Sequence, residues 1–85
     1  MMRSTFVGGG NMASAMIGGL LARGANTADI AVVEPLAAQR EKLAARFPGV
    51  GIHAAVGAGP LERADIVVLA VKPQQMAGVL RDYLS

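Results

Sequence analysis

The 85-residue chain predicts an α/β fold built on a doubly wound parallel sheet, and three observations carry that expectation. Short runs rich in β-branched residues alternate with stretches of helical spacing, the pattern of linked βαβ units. The run Ile66-Val67-Val68-Leu69-Ala70-Val71 is apolar on both faces, as a strand covered by helices on either side must be. Between the first apolar run and the first helical stretch stands Gly8-Gly9-Gly10-Asn11-Met12-Ala13. Glycines at such a junction let a strand turn sharply into a helix whose amino end faces an anionic ligand.

Ser4 to Val7 reads as a buried strand and Asn11 to Ala22 as a helix, with Met12, Ala15, Met16, Gly19 and Leu20 spaced to face the sheet. Gly18-Gly19 costs about 1 kcal/mol per glycine in helix propensity, which points to close helix-to-strand contact. Arg23-Gly24-Ala25-Asn26 ends that helix, and Ile30 to Val33 forms the second strand. Pro35 stops the strand because it has no N–H to donate and holds Glu34 extended at the carboxyl end. A second helix is expected from Leu36 to Phe47, burying Leu36, Leu43 and Phe47 and leaving Gln39, Arg40, Glu41, Lys42 and Arg46 in water until Pro48-Gly49 breaks it. Gly51 to Ala55 is a third, short strand, and after Gly57-Ala58-Gly59-Pro60 a single helical turn is expected over Leu61 to Ala64. Ile66 to Val71, apolar on both faces, is expected to be central. Pro73 then admits a last helix, Gln74 to Leu84, with Met76, Val79, Leu80 and Tyr83 on one stripe. Right-handed crossovers place four parallel strands in the Rossmann-like order 3-2-1-4, with helices on both faces. Strands one and four then flank the switch point, so Gly8 to Ala13 and Val71-Lys72-Pro73-Gln74 open on the same crevice.

Composition narrows the functional classes. The formal charge of +2 comes from dispersed Lys and Arg with no basic run and no interleaved aromatic residues, which gives no footing for nucleic acid. Cysteine is absent, so disulfides, thiolate metal sites and cysteine nucleophiles are excluded, in keeping with a reducing, cytoplasmic setting. The longest apolar run is far shorter than a spanning helix requires, and no leader pattern opens the chain. No repeat, low-complexity tract or linker divides it, so one domain over 1–85 is expected.

Within the glycine turn each residue type has a physical reason. Gly8 makes the tight turn, Gly10 leaves no side chain between backbone and phosphate, and Ala13 is small enough for the helix to lie close to its strand. Gly9, Asn11 and Met12 complete the loop, whose shape suits the diphosphate of a nicotinamide cofactor, NADP(H) or NAD(H), or of a flavin dinucleotide. Glu34 lies 24 positions after Gly10, near the spacing of a carboxylate that accepts both ribose hydroxyls of NAD(H). An acidic residue before a proline is equally an ordinary surface choice, and a 2′-phosphate beside Glu34 calls for compensation by Arg40 or another cation. Beyond strand four, the backbone of Lys72 with Val71 and Pro73 is placed to line the nicotinamide pocket, while the Lys72 ammonium reads as solvated. His53 is the only histidine, lacks an evident carboxylate partner and reads as structural. No Walker-type lysine follows the glycines, and neither metal-ligand spacing nor a nucleophile motif occurs, so no catalytic residue is assigned.

Phe6-Val7-Gly8-Gly9-Gly10-Asn11-Met12-Ala13 with Ala15-Met16-Ile17-Gly18-Gly19-Leu20, followed later by Ala64-Asp65-Ile66-Val67-Val68-Leu69-Ala70-Val71-Lys72-Pro73-Gln74, resembles the amino-terminal portion of the pyrroline-5-carboxylate reductases. The resemblance covers essentially the whole chain. Related β-hydroxyacid dehydrogenases follow the glycines with a Met-Gly pair instead. The resemblance implies reduction of 1-pyrroline-5-carboxylate to L-proline with NADPH or NADH, and cofactor binding by Gly8 to Ala13 and Ala70 to Pro73. It further implies a homo-oligomer whose second, helical domain builds the substrate pocket, a domain expected to be absent from these residues. Gly57 departs from the family pattern where many members carry asparagine, and Glu34 contrasts with the family's frequent use of NADPH. A β-hydroxyacid dehydrogenase-like reductase and a non-enzymatic nucleotide-sensing module are the alternative readings.

Overall fold

The computed structural model describes residues 2–55 and 64–71 together with positions 74, 77, 78 and 81. Strand β1 (Ser4–Val7) leads through the glycine turn into helix α1 (Asn11–Ala22), and a short 3-10 turn (Thr27–Asp29) precedes β2 (Ile30–Val33). Helix α2 (Ala37–Arg46), β3 (Gly51–His53) and β4 (Ile66–Leu69) follow. All pairings are parallel and the strand order is β3-β2-β1-β4, as the alternation of elements predicts.

Register decides which side chains meet. Phe6 stands opposite Val32 on one side and Val68 on the other, and Val32 opposite Ile52, so these four residues share one face of the sheet. That face carries the core: Phe6, Ile30 and Val32 pack with Ala13 and Ile17 of α1, Leu43 of α2, and Phe47 and Val50 just beyond it. Helix α1 stops by a Schellman arrangement, in which the Gly24 and Ala25 N–H groups donate to the Leu21 and Leu20 carbonyls. Gly24 supplies the left-handed residue at φ +96°. At the foot of the sheet the Arg3 N–H donates to the Asp65 carboxylate at 2.8 Å, and the Asp65 N–H returns a bond to the Arg3 carbonyl, fixing the start of β4 against β1.

The structure corrects four expectations. Met12, Ala15, Met16 and Gly19 are exposed, and α1 turns Ala13, Ser14 and Ile17 inward instead, with Leu20 and Leu21 half-buried beside them. The helix is apolar around most of its circumference, so spacing alone leaves its rotation open; the close approach at Ala13, which is fully buried, fixes it. Leu36 caps α2 from outside and is 66% exposed, whereas Gln39 and Arg40 are half-buried because both reach back to the end of β2 and the glycine turn. Strands β3 and β4 stop at His53 and Leu69, short of the expected Ala55 and Val71. Strand β4 is also an edge rather than central: among the described residues only β1 pairs with it, and Ile66 and Leu69 are exposed. The expected turn at Leu61 to Ala64 and helix at Gln74 to Leu84 fall largely outside the described residues, though Gln74, Ala77, Gly78 and Arg81 are helical.

The corrected face of α1 gives a direct test. Ile17→Ala is expected to lower unfolding free energy by about 2–5 kcal/mol, whereas Met16→Ala next to it costs about 0.5 kcal/mol or less, as read by urea denaturation.

Candidate functional site

Three consecutive glycines at the carboxyl end of β1 have three different reasons to lack a side chain. Gly8 sits at φ +101°, a left-handed conformation, and a Cβ there would stand 2.5 Å from the Ala70 carbonyl oxygen and 2.9 Å from Val71 Cγ1. Its N–H extends the ladder by donating to the Val33 carbonyl at 2.8 Å, while the Ala70 N–H donates to the Val7 carbonyl at 2.8 Å. The glycine turn and the segment after β4 therefore meet directly at Gly8, Ala70 and Val71. Lys72, Pro73 and Gly57 lie outside the described residues.

Gly9 is hemmed in from below. A Cβ there would lie 2.6 Å from Leu43 Cδ1, 3.2 Å from Glu34 Cβ and 3.3 Å from Val32 Cγ1. Its peptide groups are held as well: the N–H donates to Glu34 Oε1 at 3.0 Å, and the carbonyl accepts from Gln39 Nε2 at 2.6 Å. Glu34 Oε2 accepts the Leu36 N–H at 3.0 Å, so each carboxylate oxygen accepts a main-chain hydrogen bond. Glu34 is 8% exposed, and its carboxylate is held between the Gly9 and Leu36 amides. The Arg40 guanidinium lies across the end of β2, where Nη1 donates to the Glu34 and Pro35 carbonyls at 2.9 and 2.8 Å.

Gly10 differs from both neighbours. Its backbone is extended, at φ −80° and ψ −161°, a conformation open to any residue, and a Cβ there would meet no described residue within 4 Å. Neither backbone strain nor internal packing calls for glycine at this position. Gly10 is also the N-cap of α1, where no side chain caps the helix and the first turn holds no acidic residue. The Ser14 N–H is bonded to the Gly10 carbonyl, while the amides of Asn11, Met12 and Ala13 belong to the first turn, where helical geometry supplies no partner. Asn11 and Met12 are exposed around them. Among the described residues nothing covers or accepts from these amides, and open donors at the positive end of a helix suit a phosphate group.

His53 is half-buried at the end of β3, where its carbonyl accepts the Glu34 N–H at 2.8 Å. With Arg3, Asp29 and the first residues of β1 and β2 it lines a cavity of about 470 Å³ that shares no residue with the glycine turn. No group of three or more histidine and acidic side chains is placed to hold a metal among the described residues. Sequence reasoning leaves Gln39 in solvent. The signal available was its place in the first turn of α2, close behind the end of β2, but spacing alone does not tell a donor aimed at the turn from a solvated amide.

A parallel sheet ordered 3-2-1-4, with a glycine turn feeding an uncapped helix at the switch point, puts the protein in the Rossmann class of α/β folds. The chain belongs to the family described as NADP oxidoreductase, coenzyme F420-dependent, which it matches over residues 3–85. It is 44% identical over 77 residues to the pyrroline-5-carboxylate reductase of Pseudomonas aeruginosa, covering 91% of this chain and 28% of that protein. The Pasteurella multocida pyrroline-5-carboxylate reductase is 43% identical over 77 residues, covering 87% of this chain and 27% of that one. Among solved structures, a pyrroline-5-carboxylate reductase from Coxiella burnetii superposes with a TM-score of 0.83 at 36% identity, covering 99% of this chain and 32% of the other. The resemblance read from the glycine turn and the segment after β4 is borne out. The chain spans about 30% of the length of these relatives.

The distinct roles of Gly9 and Gly10 are separable by stability alone. Gly9→Ala is expected to destabilise by about 1–3 kcal/mol through overpacking on Leu43. Gly10→Ser, which places a hydroxyl over the helix amides, should leave thermal stability unchanged or raise it by up to about 1 kcal/mol.

Proposed function

We propose that this chain is the cofactor-binding part of a pyrroline-5-carboxylate reductase. The observation that carries the reading is Gly10, whose missing side chain is required by nothing among the described residues and clears the approach to the α1 amides. In this reading the N–H groups of Asn11, Met12 and Ala13 receive the diphosphate of NADPH or NADH. Gly8, Gly9 and the buried Ala13 keep the turn and helix close to the sheet, the backbone of Ala70 and Val71 lines the nicotinamide end of the crevice, and Lys72 and Pro73 are assigned to the same cofactor by the family resemblance. The bound nicotinamide supplies hydride to the imine carbon of 1-pyrroline-5-carboxylate, and a proton reaches the ring nitrogen, giving L-proline. What the described residues do in that reaction is bind and orient; none of them is assigned to proton transfer, and the substrate pocket belongs to the rest of the enzyme. A cytoplasmic, homo-oligomeric enzyme fits this assignment. No described helix is long and apolar enough to cross a membrane.

The whole protein is expected to oxidise NADPH or NADH, followed at the nicotinamide absorbance, when 1-pyrroline-5-carboxylate is added. Absence of turnover by folded protein overturns the proposal, and turnover of 3-hydroxy acids in its place assigns the β-hydroxyacid dehydrogenase alternative. Gly10→Val should weaken binding of both dinucleotides by well over tenfold in calorimetric titration, because the branched side chain occupies the space of the diphosphate, while costing only about 1 kcal/mol of stability as a poorer N-cap.

A further inference from the structure

We infer that Glu34 and Gln39 are a positioning pair that presets the Gly9 peptide for the diphosphate, and that Glu34 does not choose between NADPH and NADH. The inference rests on the cofactor reading above. A carboxylate at the end of the second strand that reads a ribose diol must present both oxygens at the mouth of the site. Both Glu34 oxygens are instead engaged by the main chain, Oε1 accepting the Gly9 N–H and Oε2 the Leu36 N–H, and the residue is only 8% exposed. Hydrogen bonds to an ionised acceptor are the stronger kind, so turning this side chain outward gives up two of them and leaves two amides unpaired. From the other side Gln39 Nε2 donates to the Gly9 carbonyl at 2.6 Å. Both polar groups of Gly9 are therefore bound to side chains anchored outside the loop, while Leu43 and Val32 close the space below it. Gly9 is joined to Gly10 and thence to the first amides of α1, so fixing it fixes the direction in which those amides point. Order imposed before binding need not be imposed by the ligand, which raises affinity for whatever the loop receives. NADPH and NADH carry the same diphosphate and differ only at the ribose 2′ position. A device acting through the diphosphate loop therefore helps both equally.

The test uses Glu34→Gln, Glu34→Asp and Gln39→Met in the whole protein, with calorimetric dissociation constants for NADPH and NADH and with hydrogen exchange at the Gly9 amide, a readout that needs no cofactor. Glu34→Gln exchanges one acceptor oxygen for a donor, and Glu34→Asp keeps the charge but is too short to span both amides. Each is expected to weaken NADPH and NADH binding by about tenfold, to the same extent for both, and to speed Gly9 exchange. A folded variant that loses NADH affinity while NADPH binding holds or improves overturns the inference in favour of a ribose-reading carboxylate, as does restoration of NADH binding by Glu34→Asp. Unchanged affinities and exchange in folded variants overturn it as well. If the Glu34 variants do not fold, Gln39→Met decides on the same criteria from the other side of the peptide. Wild-type protein that binds neither dinucleotide counts against the cofactor reading, and Gly9 exchange then judges the positioning pair by itself.

Discussion

At Gly9 the sheet, α2 and the glycine turn come within contact distance of one another, with Leu43, Glu34 and Val32 crowding the place where a Cβ would stand. This crowding brings α2 close enough for Gln39 to reach the Gly9 carbonyl and holds the Glu34 carboxylate out of water, where it can be stable only with partners. Two main-chain amides provide them. The path of the turn, the buried pose of Glu34 and the half-buried state of Gln39 are thus parts of one packing solution, and the start of α1 takes its position from it.

The glycine triplet divides its labour. Gly8 answers to backbone conformation and to the Ala70 carbonyl, Gly9 to side chains beneath it, and Gly10 to neither. Two of the three keep the chain folded as it is, and the third keeps a space free above a helix end. A motif written as one string of small residues therefore mixes positions that the fold requires to be glycine with one that it does not.

The strand order, the parallel pairing and the bounds of α1 were all legible from alternating periodicities and from the glycine turn, because those signals are local. The rotation of α1 was not: Met12, Ala13, Met16 and Ile17 are all apolar, so the helix presents two plausible inner faces, and contact at Ala13 selects between them. The proximity of the turn to Ala70 and Val71 followed from topology. Glu34 and Gln39 were harder, since a glutamate before a proline and a glutamine early in a helix look the same in sequence whether they face water or a buried peptide. Leu36 shows the converse, an apolar side chain left exposed because its backbone is occupied in starting a helix.

Strand β1 is flanked by two partners that arrive at different times. Ser4 pairs with Ile30, a neighbour across a single βαβ unit, and with Ile66, which lies far along the chain. During synthesis β1, α1 and β2 can come together while β4 is still unmade, so one row of β1 backbone donors and acceptors, including the Val7 carbonyl that later accepts from Ala70, waits without its mate. An unpaired parallel edge is an open invitation to strands of other molecules. Between completion of β2 and emergence of β4 the nascent chain therefore carries this β1 edge open, and slow translation across residues 34–65 prolongs that interval.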